Sequence, residues 1–269
     1  MVAPALNLSI VCASSRESQR RKAIGLARKL NLPLLENSND HYRLHLVYTD
    51  YRLELQYNPL LIDHKEHPVY VDFLQGEKIH HRIATSSTKS PLARAAGLRA
   101  GRRPSIADAT AGLGMDSIVL AWLGCTVVLI ERNPIIHALL QDGLERAANN
   151  QLLASVIAEN IQLIHGESAE ILALLKPPVQ CILVDPMYPQ KKKGPLNRKE
   201  MRLVRAIAGD DPDSSTLFRT ALAFAGSRVV IKRPKGVPVI CASPPPSHSV
   251  PMKSGRFDVY LTQPTTHHL

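Results

Sequence analysis

Long apolar runs are missing from this sequence of 269 residues, in which no stretch approaches the about 20 residues that a membrane-spanning helix needs. No basic residue precedes the short apolar stretch within residues 1–15, so a secretory signal is not expected either. Cysteine is scarce, and the four residues are far apart with no Cys-x-x-Cys pair. The histidine pairs at 64 and 67 and at 80 and 81 have no accompanying ligand cluster. We therefore expect a cytoplasmic protein with buried, reduced thiols and no bound metal.

Acidic residues are too few to balance the basic ones, since 33 lysines and arginines against 23 aspartates and glutamates leave a net charge of +10. Such an excess favours a polyanionic partner, because each phosphate contact releases condensed counterions. The densest cluster lies between residues 191 and 205, where Glu200 is the single acid. A run of charge is more often a solvated surface, but this one begins directly after a motif that we assign to catalysis below. The candidate RNA-binding residues are Lys191, Lys192, Lys193, Arg198, Lys199 and Arg202, with Lys232 and Arg233 from a later basic group.

A third glycine is missing from the bend at residues 108–117, Asp-Ala-Thr-Ala-Gly-Leu-Gly-Met-Asp-Ser, which lies between a β-like run and an apolar helix. Nicotinamide and flavin proteins usually have Gly-x-Gly-x-x-Gly, which leaves room for a pyrophosphate, whereas Ser117 here takes the third place after Gly112 and Gly114. Asp108 and Asp116 would repel a pyrophosphate but attract a sulfonium cation with an amino-acid tail. A charge-assisted hydrogen bond contributes roughly 1.5–3 kcal/mol, enough to decide between ligands of opposite charge. We interpret the bend as a site for S-adenosylmethionine, with a ligand-free tight turn as the alternative.

A second motif, Asp-Pro-Met-Tyr-Pro at residues 185–189, follows an apolar run at 180–184 that is typical of a strand buried on both faces. The Asp185 carboxylate and the Pro186 carbonyl can accept hydrogen bonds from the N–H groups of an exocyclic amine. Tyr188 can stack on the ring that bears the amine, which is worth about 1–3 kcal/mol per base. Alone, the motif would fit a proline-ended strand with a core tyrosine equally well. Together with the bend, it predicts transfer of a methyl group to an amine.

The order of six motifs resembles the bacterial ribosomal RNA small subunit methyltransferase J family, over about residues 89–262. The motifs are Asp-Ala-Thr-Ala-Gly-Leu-Gly, Glu-Arg-Asn-Pro at 131–134, Asp-Pro-Met-Tyr-Pro, Lys-Glu-Met-Arg at 199–202, Lys-Arg-Pro at 232–234 and Arg-Phe-Asp at 256–258. The resemblance implies methylation of the N2 amine of one guanine in 16S ribosomal RNA. The sequence departs from the family at Met115, commonly arginine, at Tyr188, often phenylalanine, and at residues 84–89, usually glycine-rich.

The resemblance also implies a set of cofactor contacts, at Met115, Asp116, Glu131, Arg132, Glu167, Ser168 and Asp185. The bend itself, with Asp108, Gly112 and Gly114, is expected to hold the methionine part of the cofactor. Glu131 ends an apolar run about twenty residues after the bend and is placed to bind the ribose, with Arg132 beside the adenosine. Ser168 is also a candidate N-cap of a helix at residues 169–175, a role that is compatible with cofactor binding.

Alternation of strands and helices begins at Pro91, with strands expected near 105–109, 126–131, 161–165, 180–185 and 227–232. This order predicts an α/β fold with a doubly wound, mostly parallel sheet of the class I S-adenosylmethionine-dependent methyltransferase type. The segment 256–262 suits the antiparallel strand that is inserted into such a sheet.

The N-terminal part has a different pattern. It predicts a strand at 7–13, a basic amphipathic helix at 16–30, a half-exposed hairpin at 42–48 and 51–57, and a further strand at 69–74. We therefore expect a small α+β domain at residues 1–88 and the methyltransferase domain at 89–269.

Three other functions are compatible with parts of these patterns. Related acid-proline-aromatic motifs also serve adenine N6 and protein glutamine methyltransferases, although the methionine at 187 favours guanine. A catalytically silent RNA-binding or ribosome-assembly factor could keep the cofactor fold, but it would have no reason to keep both Asp185 and Tyr188. A nicotinamide-dependent enzyme is disfavoured by Ser117.

Overall fold

A computed structural model gives the structure of residues 7–39, 41–61, 67–74, 83, 86–187, 199–209, 213–240 and 243–262, with the backbone alone for 199–202. The described residues belong to two compact units. The first unit takes its residues from 1–72, 133–146 and 189–210, and the second from 73–132, 147–188 and 211–269. A domain boundary near residue 88 stays a prediction.

The described helices and strands follow one another along the chain in a fixed order. They are β1 (Leu8–Cys12), α1 (Glu17–Leu30), β2 (Leu34–Leu35), β3 (Leu44–Tyr48), β4 (Leu53–Tyr57), α2 (Pro91–Ala96), β5 (Ile106–Asp108), α3 (Met115–Trp122), β6 (Val127–Glu131), α4 (Pro134–Ala148), α5 (Ala154–Asn160), β7 (Ile161–His165), α6 (Ser168–Leu174), β8 (Cys181–Val184), α7 (Lys199–Ala208), α8 (Ser214–Phe224), β9 (Arg228–Pro234), β10 (His248–Met252) and β11 (Gly255–Leu261).

The second unit contains a seven-stranded sheet in the order β10-β11-β9-β8-β5-β6-β7. The five strands β9, β8, β5, β6 and β7 are parallel to one another. The chain builds β5, β6 and β7 on one side and then returns to the other side of β5 with β8, which creates a switch point between β5 and β8. Ligands of such sheets bind at the carboxyl ends of the strands at this point. The predicted α/β fold with a mostly parallel sheet is confirmed.

Continuous apolar sequence produces the middle of this sheet. All residues of β5 and β8 are buried, as expected for parallel strands covered on both faces. On one face Phe218 of α8 meets Tyr260 of β11 edge to face, with ring centroids 4.7 Å apart. The sheet core therefore holds the ends of β5 and β8 in fixed positions.

The antiparallel strand predicted near 256–262 is β11, which lies between β9 and β10. Its partner β10 was not predicted, because Pro251 and the preceding proline-rich stretch are not typical of a strand. β10 is the edge strand of the sheet, where a missing N–H donor is tolerated.

The first unit contains a four-stranded sheet in the order β2-β1-β3-β4, in which β3 and β4 form the predicted hairpin. The prediction that the hairpin is half-exposed is wrong for β3, in which all five residues are buried. β3 lies between β1 and β4, so its polar alternate residue His45 is buried too and bonds to Ser9 of β1 at 2.8 Å. The strand predicted at 69–74 is reduced to a single bridge between Val69 and Leu55.

Two further observations concern the expectations from composition. In the part of the chain that the structure describes, there is no helix with the length and apolar character needed to cross a membrane. Cys125 and Cys181 are buried free thiols, as predicted, whereas Cys12 is free but only partly buried. Burial raises the pKa of Cys125 to about 11. Cys241 lies outside the described residues.

Candidate active site

The glycine bend joins β5 to α3 and depends on backbone conformations that favour glycine. Gly112 and Gly114 have φ of +54° and +75°, in the left-handed region where a Cβ is strained. The N–H of Gly112 donates to Glu131 Oε2 at 2.8 Å, so the end of β6 is tied to the bend. Glu131 is 7% exposed. The bend and the predicted ribose-binding acid, Glu131, are therefore joined directly by a hydrogen bond.

Asp108 ends β5 beneath the bend and is bonded on both carboxylate oxygens. Ser117 donates its hydroxyl to Oδ2 at 2.6 Å, and the N–H of Thr110 donates to Oδ1 at 3.2 Å. Burial raises the pKa of Asp108 to about 7, against the lowering effect of these two bonds, and the charges of Asp116 and Asp185 add to the rise. Ser117, in the place of the third glycine, therefore serves to bind this buried acid.

The raised pKa of Asp108 predicts a stability that depends on pH. Between about pH 4 and pH 7 the folded protein holds a proton that the unfolded chain has released, so stability falls as the pH rises through this window. Asp108→Asn cannot ionise. We therefore compare the free energy of unfolding of this variant with that of wild type at each pH. The variant minus wild-type difference should be roughly 2–3 kcal/mol larger at pH 8 than at pH 5.

Urea unfolding followed by the fluorescence of Trp122, the single tryptophan of the chain, measures this difference. The exposed acid Glu170, changed to glutamine, is the control and should show no such dependence. An equal effect of Asp108→Asn at both pH values would contradict the assignment.

The predicted adenosine contacts meet at the carboxyl ends of β6 and β7. Arg132 Nη1 is 2.8 Å from Asp213 Oδ2 and 3.8 Å from Glu167 Oε2. Because β6 and β7 are neighbouring strands, Glu131 and Arg132 come close to Glu167 and Ser168. Their contact with a nucleoside stays a prediction.

Ser168 does not have the N-cap role that was one of its two predicted roles. The N-cap of α6 is Glu167, and Ser168 is the first residue of the helix. The Ser168 hydroxyl donates to the carbonyl of Ala109 at 2.6 Å and is buried. The N-cap interpretation is therefore wrong, because the hydroxyl connects the start of α6 to the beginning of the bend.

Asp185 follows β8 at the switch point. Its N–H donates to Thr110 Oγ1 at 2.6 Å, which fixes the backbone of the amine-binding motif against the bend. Its side chain is 39% exposed, and Oδ2 forms an ion pair with Lys232 Nζ at 2.9 Å. The same Nζ is 2.8 Å from Asp116 Oδ2. Pro186 is buried beside Asp185, and Tyr188 lies outside the described residues. The two motifs are thus joined through Thr110 and Lys232.

The predicted RNA-binding residues have different outcomes. Lys191, Lys192, Lys193 and Arg198 lie outside the described residues, as do the side chains of Lys199 and Arg202. Lys232 pairs with the two acids of the site. Arg233 is 1% exposed and bonds to Asp258 at 2.7 Å. This burial argues against the predicted contact of Arg233 with RNA, because its guanidinium is paired with Asp258 away from solvent.

Sequence reasoning missed four residues of the site: Thr110, Ser117 as a hydrogen-bond donor, Asp213 and Lys232 as an ion-pair partner. One of them, Lys232, had a signal in the sequence. Ile231 pairs with Val184 in the parallel strands β9 and β8, so the next residues, Lys232 and Asp185, must be neighbours. Asp213 had no such signal, because it precedes α8 and is far from Arg132 in the chain.

The site fits S-adenosylmethionine by its shape and charge. A Cβ at Gly112 would be 3.8 Å from the Thr110 carbonyl oxygen, so the bend has room for close approach of a ligand. α3 begins at Met115, and its N-cap Gly114 offers no side-chain cap, which leaves N–H groups suited to a carboxylate. Asp116 and Asp185 offer negative charge to a sulfonium. Among the residues with described positions, no group of His, Cys, Asp or Glu is arranged to hold a metal ion.

Comparison with known proteins agrees with this chemistry. The family described as "Putative SAM-dependent methyltransferase" matches residues 25–262. Two relatives named ribosomal RNA small subunit methyltransferase J are similar over most of the chain. The protein from Desulfotalea psychrophila is 42% identical over 96% of this chain and 97% of its own. That from Thioalkalivibrio sulfidiphilus is 44% identical over 91% and 95%.

A solved structure is similar along almost the whole chain. The S-adenosylmethionine-dependent methyltransferase from Neisseria gonorrhoeae is 29% identical, with a TM-score of 0.72 over 97% of both chains. With the glycine bend, the acid at the end of β8 and these similarities, the chain belongs to the family of S-adenosylmethionine-dependent methyltransferases that includes ribosomal RNA small subunit methyltransferase J.

Proposed function

We propose that this enzyme methylates the exocyclic N2 amine of one guanine in the 16S RNA of the small ribosomal subunit. The observation that carries the proposal is the position of Asp185 at the switch point, bonded through its backbone to the cofactor bend. The names of the relatives at 42% and 44% identity support ribosomal RNA as the substrate. The net charge of +10 suits a polyanion. Because ribosomal RNA is the substrate, we also place the enzyme in the cytoplasm.

The mechanism needs position more than acid–base chemistry. Bound S-adenosylmethionine supplies an electrophilic methyl group on a positively charged sulfur. The chain contributes hydrogen-bond acceptors for the amine. The Asp185 carboxylate and the Pro186 carbonyl would each accept a hydrogen bond from one N–H of the amine and direct its nitrogen toward the methyl group. Positioning of this kind can supply roughly 7–11 kcal/mol of barrier reduction. As the nitrogen–carbon bond forms, the bond between sulfur and the methyl carbon breaks, its electron pair stays on sulfur, and S-adenosylhomocysteine leaves. The amine loses one proton, which Asp185 or water can take.

Two residues hold this acceptor pair in place. Thr110 accepts the N–H of Asp185, and Glu131 fixes the bend through Gly112. Arg132 is held by Asp213 at the predicted adenosine end of the site. A guanine that is paired in RNA must also leave its helix, at a cost of a few kcal/mol. We propose that the basic residues between 191 and 205 offset this cost by binding the flanking phosphates.

The identity of the methylated nucleoside tests the proposal. Small subunits that lack the modification are incubated with the enzyme and labelled S-adenosylmethionine, the RNA is digested, and the nucleosides are separated by mass spectrometry. We expect one labelled product, N2-methylguanosine, at a single position. The Asp185→Ala variant provides the background.

Each other outcome has a distinct meaning. N6-methyladenosine would favour the adenine alternative, which shares the acid-proline-aromatic motif. Label in ribosomal protein would favour a glutamine acceptor. Tight RNA binding without label would favour a silent assembly factor. Any of these results would contradict the guanine assignment.

A further inference from the structure

Lys232 lies between the two parts of the site. Its ammonium is 2.8 Å from Asp116 Oδ2, in the first turn of α3, and 2.9 Å from Asp185 Oδ2, after β8. The neighbouring strands β8 and β9 bring it there, because Ile231 pairs with Val184. One side chain therefore bonds to an acid on the cofactor side and to the acid on the amine side.

The charge of Lys232 is secured by this position. Burial alone would lower its pKa, but the carboxylates of Asp116 and Asp185 raise the pKa well above its ordinary value. Facing the same space, Asp108 has a pKa raised by burial and by the two neighbouring acids. Three carboxylates thus share one region, and Lys232 is the described cation that bonds to two of them.

These contacts favour a role inside the site over a role in RNA binding. A phosphate that took the ammonium would have to break two short ion pairs in a partly buried place, since the Lys232 side chain is 30% exposed and that of Asp116 is 13% exposed. An ionised carboxylate has about four lone-pair sites, so Asp185 keeps capacity for an amine while it is bonded to Lys232. The same holds for Asp116 and the cofactor.

We propose that Lys232 is a positioning residue, which keeps Asp185 ionised and oriented as the acceptor for the target amine and couples that orientation to the cofactor bend. The proposal rests on the proposed function, in which Asp185 binds an exocyclic amine. Without the ammonium, Asp185 and Asp116 would lose the cation that they share. The carboxylates would then retain a proton to higher pH, and Asp185 would lose its fixed direction.

The test compares Lys232→Met with Lys232→Arg and with a matched control. Lys235→Met removes the same charge from an exposed lysine three residues further along. For each protein we measure affinity for S-adenosylhomocysteine by calorimetry, the single-turnover methylation rate on small subunits between pH 6 and pH 9, and thermal unfolding. Lys232→Gln replaces Lys232→Met if the latter fails to fold.

We expect Lys232→Met to bind S-adenosylhomocysteine within threefold of wild type but to methylate about 10²-fold more slowly at pH 7. Its rate should rise with pH more steeply than that of wild type, because the carboxylates must first lose their shared proton. Lys232→Arg should recover most of the rate, and Lys235→Met should match wild type. A purely structural lysine would lower stability without adding this pH dependence.

Other results would overturn the proposal. Loss of S-adenosylhomocysteine affinity with a normal rate at saturation would mean that Lys232 binds the cofactor carboxylate. A higher concentration of small subunits for the half-maximal rate, with an unchanged maximal single-turnover rate, would mean that it binds RNA. If Lys232→Met methylates the guanine at the wild-type rate, this role alone is overturned. If the wild-type enzyme labels no guanine, the proposed function is overturned as well.

Discussion

Changing Asp185 to alanine is expected to lower the single-turnover rate of methylation about 10³-fold, within the range found when one preorganised polar group is removed from an active site. The carboxylate is the acceptor that aims the amine, and Lys232 and Thr110 hold it in place. The loss should appear in kcat, with small subunits and S-adenosylmethionine both saturating. Asp185→Asn keeps the shape but not the charge, and it should also be strongly impaired.

The controls for Asp185 separate chemistry from folding. Asp185 is 39% exposed and lies after the end of β8, so its replacement should leave thermal unfolding nearly unchanged. Glu170→Ala removes an exposed acid from α6 in the same unit and should have normal activity. A rate for Asp185→Ala within tenfold of wild type would remove Asp185 from its assigned role and would point to Pro186 and Tyr188 as sufficient.

The sheet that carries this site could be predicted from the sequence, because parallel strands buried on both faces have a local signature. The apolar runs at β6 and β8 end on Glu131 and at Asp185, and the glycine bend follows β5. Each signal lies within about ten residues of chain. The order of strands follows from the alternation with helices, which makes parallel pairing the natural arrangement.

Contacts between distant segments account for what the sequence did not predict. The alternation in β3 suggested an exposed face, but β3 is a central strand, and His45 is covered and bonded to Ser9. Arg233 was grouped with basic surface residues because charge in a sequence does not reveal burial. Its partner Asp258 lies 25 residues later, on the antiparallel strand β11.

The ion pair between Arg233 and Asp258 is the most deeply buried charge contact described in the second unit. The side chains are 1% and 0% exposed, and they meet at 2.7 Å. Asp258 also accepts bonds from Ser249 at 2.6 Å and from Arg256 at 2.8 Å. Burial alone would raise its pKa, but these three bonds hold the pKa of Asp258 below its ordinary value. The strands β9, β10 and β11 are thus joined at one carboxylate.

Asp258→Ala is expected to destabilise the protein by about 3–5 kcal/mol, because it leaves the charge of Arg233 buried without its partner. Urea unfolding at pH 7, followed by Trp122 fluorescence, measures the change. Because the pKa of Asp258 is lowered on folding, its contribution is present above about pH 4 and is lost as the pH falls through its folded pKa. The difference between wild type and Asp258→Ala should therefore shrink in acid.

A double variant is the matched control for this pair. Arg233→Met with Asp258→Leu removes both charges and fills the space with apolar groups, so it should recover most of the stability that Asp258→Ala loses. A loss below about 1 kcal/mol for Asp258→Ala would show that Arg233 reaches water when its partner is removed. In that case the guanidinium would be mobile enough to contact RNA, and the argument against Arg233 as an RNA-binding residue would fail.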